Sequence, residues 1–228
     1  MYYKECGSKD GQLVVFIHGG FTTHESFMKQ YDLLPDKRMI FVDLPGCGNH
    51  NQDALNGFSF ENAAFGVIKL IEELSPDRKV ILIAHSYGGL VVKEILLRIP
   101  HRIDKMVVGS TNIQKSLLFW LYTGKIGCHI LWKQNKERYA REGITWKCVC
   151  DMQKDAWHKF DISGLKGDHQ IACLFLYAEH DIKEIQDSMK LWKEKFPNSK
   201  LCEISKSGHN YFFDMPEIVN PIISDFCQ

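Results

Sequence analysis

Short apolar runs recur along the chain, each cut off by small or turn-forming residues and spaced to leave room for a helix between them. Residues 13–17 read L-V-V-F-I and are stopped by Gly19-Gly20. Residues 39–42 read M-I-F-V and run into Asp43-Leu44-Pro45-Gly46, and residues 80–84 read V-I-L-I-A. Residues 105–108, 171–177 and 200–204 complete the series. A run that is apolar on both faces suits a strand of a parallel sheet covered by helices on each side. The intervening stretches supply those helices. Residues 60–74 place Ala63, Ala64, Val67, Ile68, Leu70 and Ile71 largely on one side. Residues 90–99 repeat the pattern and stop before Pro100; residues 182–196 and 215–226 behave likewise. Alternating strand and helix predicts an α/β architecture with right-handed crossovers.

One segment breaks the rhythm. From about residue 111 to 166 no buried strand is evident. Aromatic and aliphatic residues (Leu117 to Tyr122, then Ile130, Leu131 and Trp132) precede a highly charged stretch over 133–142. This reads as a helical insertion placed over the sheet edge, within one domain spanning 1–228. No internal repeat or low-complexity tract interrupts it.

Composition narrows the function classes. Lysine plus arginine and aspartate plus glutamate are each 28, so the formal net charge is zero. A nucleic-acid binder usually carries a basic excess, so no nucleic-acid partner is expected. Eight cysteines occur without a C-x-x-C pair, which gives no support to a zinc ribbon or redox motif; buried or free thiols in a reducing compartment are expected. The first residues, Met1-Tyr2-Tyr3-Lys4-Glu5, lack the apolar core of a secretion signal. No apolar run approaches the roughly 20 residues of a spanning helix. A cytoplasmic location and no transmembrane segment are expected.

The chemistry gathers where the strands end. Ala84-His85-Ser86-Tyr87-Gly88-Gly89 follows a strand and precedes a helix, the setting of a nucleophile elbow. Such a turn strains the serine backbone and lifts Oγ above the sheet. Small residues must flank it, and Ala84 and Gly88 are small; alanine stands where G-x-S-x-G has its first glycine. His18-Gly19-Gly20-Phe21 follows an earlier strand and could supply one backbone N–H to an oxyanion, from Gly20 with Phe21 next in line. Tyr87, after the serine, would supply the other. His18 is expected to hold this loop by hydrogen bonds and not to act in catalysis. Asp181 lies in the loop after residues 171–177, with Glu179 as its rival, and His209 follows residues 200–204 behind Gly208. Loops leaving the carboxyl ends of parallel strands are where catalytic groups collect. The chain order serine, acid, histidine suits this fold.

These residues make the chain resemble the α/β-hydrolase superfamily over nearly its whole length. The carried positions are His18-Gly19-Gly20, Asp43-Leu44-Pro45-Gly46-Cys47-Gly48, Ala84-His85-Ser86-Tyr87-Gly88, Asp181 and Gly208-His209. The chain is similar in particular to compact, capped esterases and lipases. The resemblance implies a mostly parallel sheet flanked by helices, with a small helical cap inserted after the sixth strand. The chain departs from that pattern at its short N-terminus, where one strand is expected near residues 2–6 before the oxyanion strand, so the sheet is expected to lack its first antiparallel strand. The resemblance further implies a Ser86-His209-Asp181 triad, an acyl-enzyme intermediate, no metal and no organic cofactor. The substrate would be a small-molecule carboxylic ester with an apolar acyl or aromatic group. Phe21, Phe119, Trp120, Tyr122 and Trp132 are the candidate substrate-binding side chains. Packing of the insertion onto the core is the competing reading for its aromatic residues. A thioesterase or C–C bond hydrolase on the same triad, or a ligand-binding receptor with little turnover, are the alternatives.

Overall fold

A computed structural model describes residues 1–49, 57–167 and 171–228. Seven strands form one sheet: β1 (Tyr3–Gly7), β2 (Leu13–Ile17), β3 (Arg38–Val42), β4 (Val80–His85), β5 (Ile103–Gly109), β6 (Ala172–Ala178) and β7 (Lys200–Ile204). Their order across the sheet is β1-β3-β2-β4-β5-β6-β7. Only the edge strand β1 runs antiparallel, paired with β3; every other pairing is parallel. The sheet is thus mostly parallel, in the α/β-hydrolase arrangement.

Period-two alternation divides each strand between two cores. Leu13, Val15 and Ile17 join Ile40, Val42, Leu82 and Ala84 on one face, under α1 (Phe60–Leu74) and α2 (Gly88–Leu96). Val14 and Phe16 join Met39, Phe41, Ile81 and Ile83 on the other. That second face is closed by Phe27 of a 3₁₀ segment (His24–Gln30) and by residues of the C-terminal helices. The apolar character of both faces of β2 and β4 has this direct cause: each residue is buried under a helix or loop.

Between β5 and β6 the chain forms α3 (Leu117–Thr123), α4 (Lys125–Arg141) and α5 (Trp146–Lys159). Ser116 and Thr145 cap α3 and α5 by accepting backbone amides with their hydroxyls. The insertion follows the fifth strand and not the sixth, because a single strand precedes β2 in this chain. It faces the carboxyl rim of the sheet, where it lines a cavity, and not a lateral sheet edge. After β6 come α6 (Lys183–Lys195), β7, the one-turn α7 (Tyr211–Asp214) and α8 (Pro216–Cys227). Among the described residues no helix is long and apolar enough to cross a membrane. All eight cysteines carry free thiols.

Candidate active site

The turn from β4 into α2 is built by close approach. Ser86 adopts φ 52, a left-handed conformation that a non-glycine residue enters at a cost of order 1–3 kcal/mol. Surrounding bonds hold it there. The Ser86 amide donates to the Gly109 carbonyl at 2.7 Å, and its carbonyl accepts from Thr111 Oγ1 at 2.8 Å and from the Gly89 amide at 3.0 Å. The small residue after the serine has a steric reason: a Cβ on Gly88 would lie 2.3 Å from the Ile17 carbonyl oxygen. Ala84, fully buried, fills the other small position.

Three side chains far apart in sequence meet above this turn. His209 Nε2 lies 3.0 Å from Ser86 Oγ, and His209 Nδ1 lies 2.7 Å from Asp181 Oδ1. The second Asp181 oxygen accepts from Ser110 Oγ at 2.5 Å and from the Ala178 amide at 3.0 Å. Burial pushes the Asp181 carboxyl pKa up, but the bonds from His209, Ser110 and Ala178 outweigh it and hold the pKa below the usual carboxylate value. The side chain therefore stays ionised beside the imidazole. Since a carboxylate only accepts, the Nδ1 proton is fixed toward Asp181, and Nε2 is left to accept from the serine hydroxyl. Glu179, the rival acid, faces elsewhere: it is exposed and accepts from the Lys206 amide at 2.6 Å.

Two other histidines support this arrangement from below. His85 is buried, stands 4.8 Å ring to ring from His209, and contacts the His209 carbonyl through Nε2 at 2.8 Å. A carbonyl only accepts, so His85 carries its proton on Nε2. His18 bonds the Gly19 carbonyl through Nδ1 at 2.7 Å and accepts the Leu44 amide on Nε2 at 3.0 Å. Its ring thereby ties the loop after β2 to the loop after β3. Burial drives both imidazoles down, His18 to about 4 and His85 to about 3, so both are neutral at ordinary pH.

Facing the serine is the loop after β2. Phe21 has φ 59, a second left-handed residue at the site. Among the described residues the amides of Gly20, Phe21 and Tyr87 donate to no intramolecular acceptor. A cavity of about 960 Å³ opens over Ser86 and His209. Phe21, Leu118, Phe119 and Tyr122 line it from above, Ile182, Ile185, Phe212 and Phe213 from the side, and Asn135, Arg138 and Glu142 at a polar end. Two of the expected substrate-binding residues do not reach it. Trp120 points outward with 57% of its surface exposed. Trp132 packs against Tyr139 and Trp146, each at 5.8 Å between rings, and braces the insertion from outside the cavity. For Trp120 the correction follows from helical geometry: α3 presents Leu118, Phe119 and Tyr122 to the cavity, and Trp120 then falls on the opposite side. Among the described residues no group of three or more His, Cys, Asp or Glu could hold a metal.

Residues 12–126 match the family model described as the alpha/beta hydrolase fold. The "Uncharacterized hydrolase YugF" of Bacillus subtilis (strain 168) is 30% identical over 263 aligned residues, covering 100% of this chain and 94% of that protein. The chain belongs to the α/β-hydrolase family. Solved α/β-hydrolase structures superpose on it at much lower identity. A hydrolase from Pseudomonas aeruginosa PA01 gives a TM-score of 0.80 at 14% identity, covering 99% of this chain and 93% of the other. A lipase-esterase related protein from Clostridium acetobutylicum ATCC 824 gives 0.79 at 18% identity, covering 99% and 98%. At such identities the likeness is one of fold.

The α/β-hydrolase frame explains what sequence reading missed. Ser110, just past β5, carries φ 45 and bonds Asp181, and nothing in its sequence setting marks it. Arg138 and Gln153 lie inside the insertion, where nothing in the charge pattern marks them as reaching the sheet rim.

Proposed function

We propose that this protein is a serine hydrolase of carboxylic esters, working as one domain whose helical insertion, approximately 111–166, caps the site. The observation that carries the reading is the continuous hydrogen-bond chain Ser86 Oγ, His209, Asp181 at the floor of the cavity. In this reading Ser86 Oγ attacks the acyl carbon while His209 Nε2 takes its proton. Asp181 keeps the tautomer and stabilises the imidazolium that forms. The amides of Gly20 and Tyr87, with that of Phe21 beside them, donate to the oxyanion. His209 returns the proton to the departing alkoxide. A water then repeats the sequence on the acyl-enzyme and frees the acid. The serine proton passes to an imidazole already within hydrogen-bond distance, and the scheme calls on no metal or organic cofactor.

The cavity supports the choice of substrate. Its apolar lining includes Phe119, Tyr122, Ile182, Ile185 and Phe212, which suit an apolar acyl or aromatic group of a small ester. The test is turnover of p-nitrophenyl esters of increasing chain length. Hydrolysis of short to medium esters is expected, with kcat/KM rising as the chain fills the apolar walls. A folded protein that turns over no ester of the series overturns the reading.

A further inference from the structure

The two sides of the expected oxyanion hole are each held by a different helix of the insertion. Arg138 of α4 donates through Nη1 to the Phe21 carbonyl at 3.0 Å. Its guanidinium is itself oriented by Glu142 Oε2 at 3.1 Å and Asn135 Oδ1 at 3.3 Å. Gln153 of α5, fully buried, accepts the Tyr87 hydroxyl at 2.5 Å and donates through Nε2 to the Tyr122 carbonyl at 2.9 Å. Phe21 and Tyr87 also touch edge to face, with ring centroids 5.9 Å apart. The Tyr87 ring lies so close over Gly20 that a Cβ there would come within 2.7 Å of Cδ2.

We infer that Arg138 and Gln153 are positioning residues that aim the oxyanion-binding amides, so that the insertion sets the electrostatic geometry of the reaction in addition to shaping its cavity. This rests on the serine-hydrolase reading above. The physical case begins with Phe21. Left-handed backbone at a phenylalanine is uphill, and a loop free to relax would rotate the Gly20–Phe21 peptide and swing its N–H away. A hydrogen bond from a charged donor is of comparable size to that cost. Arg138 supplies one at the carbonyl on the far side of the same residue, which fixes its conformation. Tyr87 is anchored differently. Its amide stands at the start of α2, and its ring is pinned at the hydroxyl end by an amide side chain whose oxygen and nitrogen are both engaged. With the ring pinned, it bears on Gly20 and couples the two donors. Sequence distance hides this: 117 residues separate Arg138 from Phe21 and 66 separate Gln153 from Tyr87.

Donors of this kind act on the charge that develops only in the transition state, and loss of one such donor costs about 10²–10³ in kcat. Misalignment should cost less. The test compares wild type with Arg138→Met, Arg138→Lys and Tyr87→Phe, using a p-nitrophenyl ester and a trifluoromethyl ketone of the same acyl chain. The ketone forms a tetrahedral oxyanion on the serine; the corresponding secondary alcohol reports binding without one. We expect Arg138→Met to lower kcat about 10–100-fold with KM changed less than about threefold. The same variant should weaken the ketone by a similar factor and leave the alcohol unchanged. Arg138→Lys, which keeps a charged donor, should recover part of the loss. Tyr87→Phe, which keeps the ring and frees it from Gln153, should show the same pattern at smaller amplitude. Arg138 is partly exposed, so its replacement leaves the core intact. If the Arg138 and Tyr87 variants turn over at wild-type kcat, or if ketone and alcohol weaken equally, the inference falls while the hydrolase reading stands. If the folded wild type hydrolyses no ester, that reading falls first and takes the inference with it.

Discussion

The cavity has two walls of different construction. The lower wall is the carboxyl rim of the sheet, where Ser86, Ser110, Asp181 and His209 lie past the ends of β4, β5, β6 and β7. The upper wall is the insertion. In α4 only Gly127, Cys128 and Tyr139 are buried, and Leu117, Trp120 and Ile126 of the insertion are 57–73% exposed. Strained Ser86 and Ser110 on the rim are each held by several bonds, whereas Phe21 is held through its carbonyl by Arg138 of the insertion. α5 adds Cys148, Val149, Met152 and Ala156 to the core that α1 and α2 cover, and Arg138 and Gln153 bond the insertion to Phe21 and Tyr87. On the proposed function, chemistry would rest on the rim and selectivity on the insertion, and substitutions in the two should fail in different ways.

The largest expected effect lies on the rim. Asp181→Asn should lower kcat by about three to four orders of magnitude, by presenting the wrong hydrogen to Nδ1 and losing the charge that stabilises the imidazolium. Glu179→Gln should change kcat by less than about threefold. Steady-state kinetics of the two variants separates the carboxylates, and the reverse ranking would make Glu179 the acid.

Next comes acid stability. His18 and His85 are buried and neutral, with values driven down to about 4 and about 3, against about 6.5 in the unfolded chain. Between those values the unfolded state binds more protons than the folded one, so stability is complete above about pH 6.5 and is lost as pH falls through that window. Asp181 acts in the same direction at lower pH: its depressed value contributes stability that disappears as the carboxylate is protonated. Both histidines are on the rim, whereas His129 and His158 of the insertion are exposed. Denaturant midpoints at pH 7.5 and 5.5 should therefore fall, and His85→Gln should flatten that fall. A pH-independent midpoint would mean that the rim imidazoles are not buried neutral.

The smallest effects belong to the insertion. Leu118→Ala, which shortens the cavity wall, should raise KM for the longer esters about threefold to tenfold and spare the shortest. Trp120→Ala, on the outward face of the same helix, should stay within about twofold for every ester. A chain-length profile that shifts with Trp120 and not with Leu118 would invert the assignment of α3's faces.

The same division governs how much could be read from sequence. The sheet was legible because burial on both faces leaves continuous apolar runs, and the elbow because close packing at Gly88 admits no side chain. Ser86, Asp181 and His209 were legible through their places after strands and their order. Phe119 and Tyr122 were singled out together with Trp120 and Trp132 because an aromatic-rich stretch carries no mark of which side faces the cavity. That is settled by how α3 and α4 dock, and docking is a tertiary property. Ser110, Arg138 and Gln153 were invisible for a related reason. Each acts through hydrogen bonds to residues remote in the chain, and serine, arginine and glutamine are ordinary on any helix or loop.

Reaction with a fluorophosphonate probe tests the centre of the account, since it demands a serine activated by its neighbours and asks nothing of the natural substrate. The account predicts one label per chain, attached to Ser86 and identified by peptide mass, with none on folded Ser86→Ala. A folded wild type that takes no label, or a Ser86→Ala protein labelled to the same extent, would contradict it.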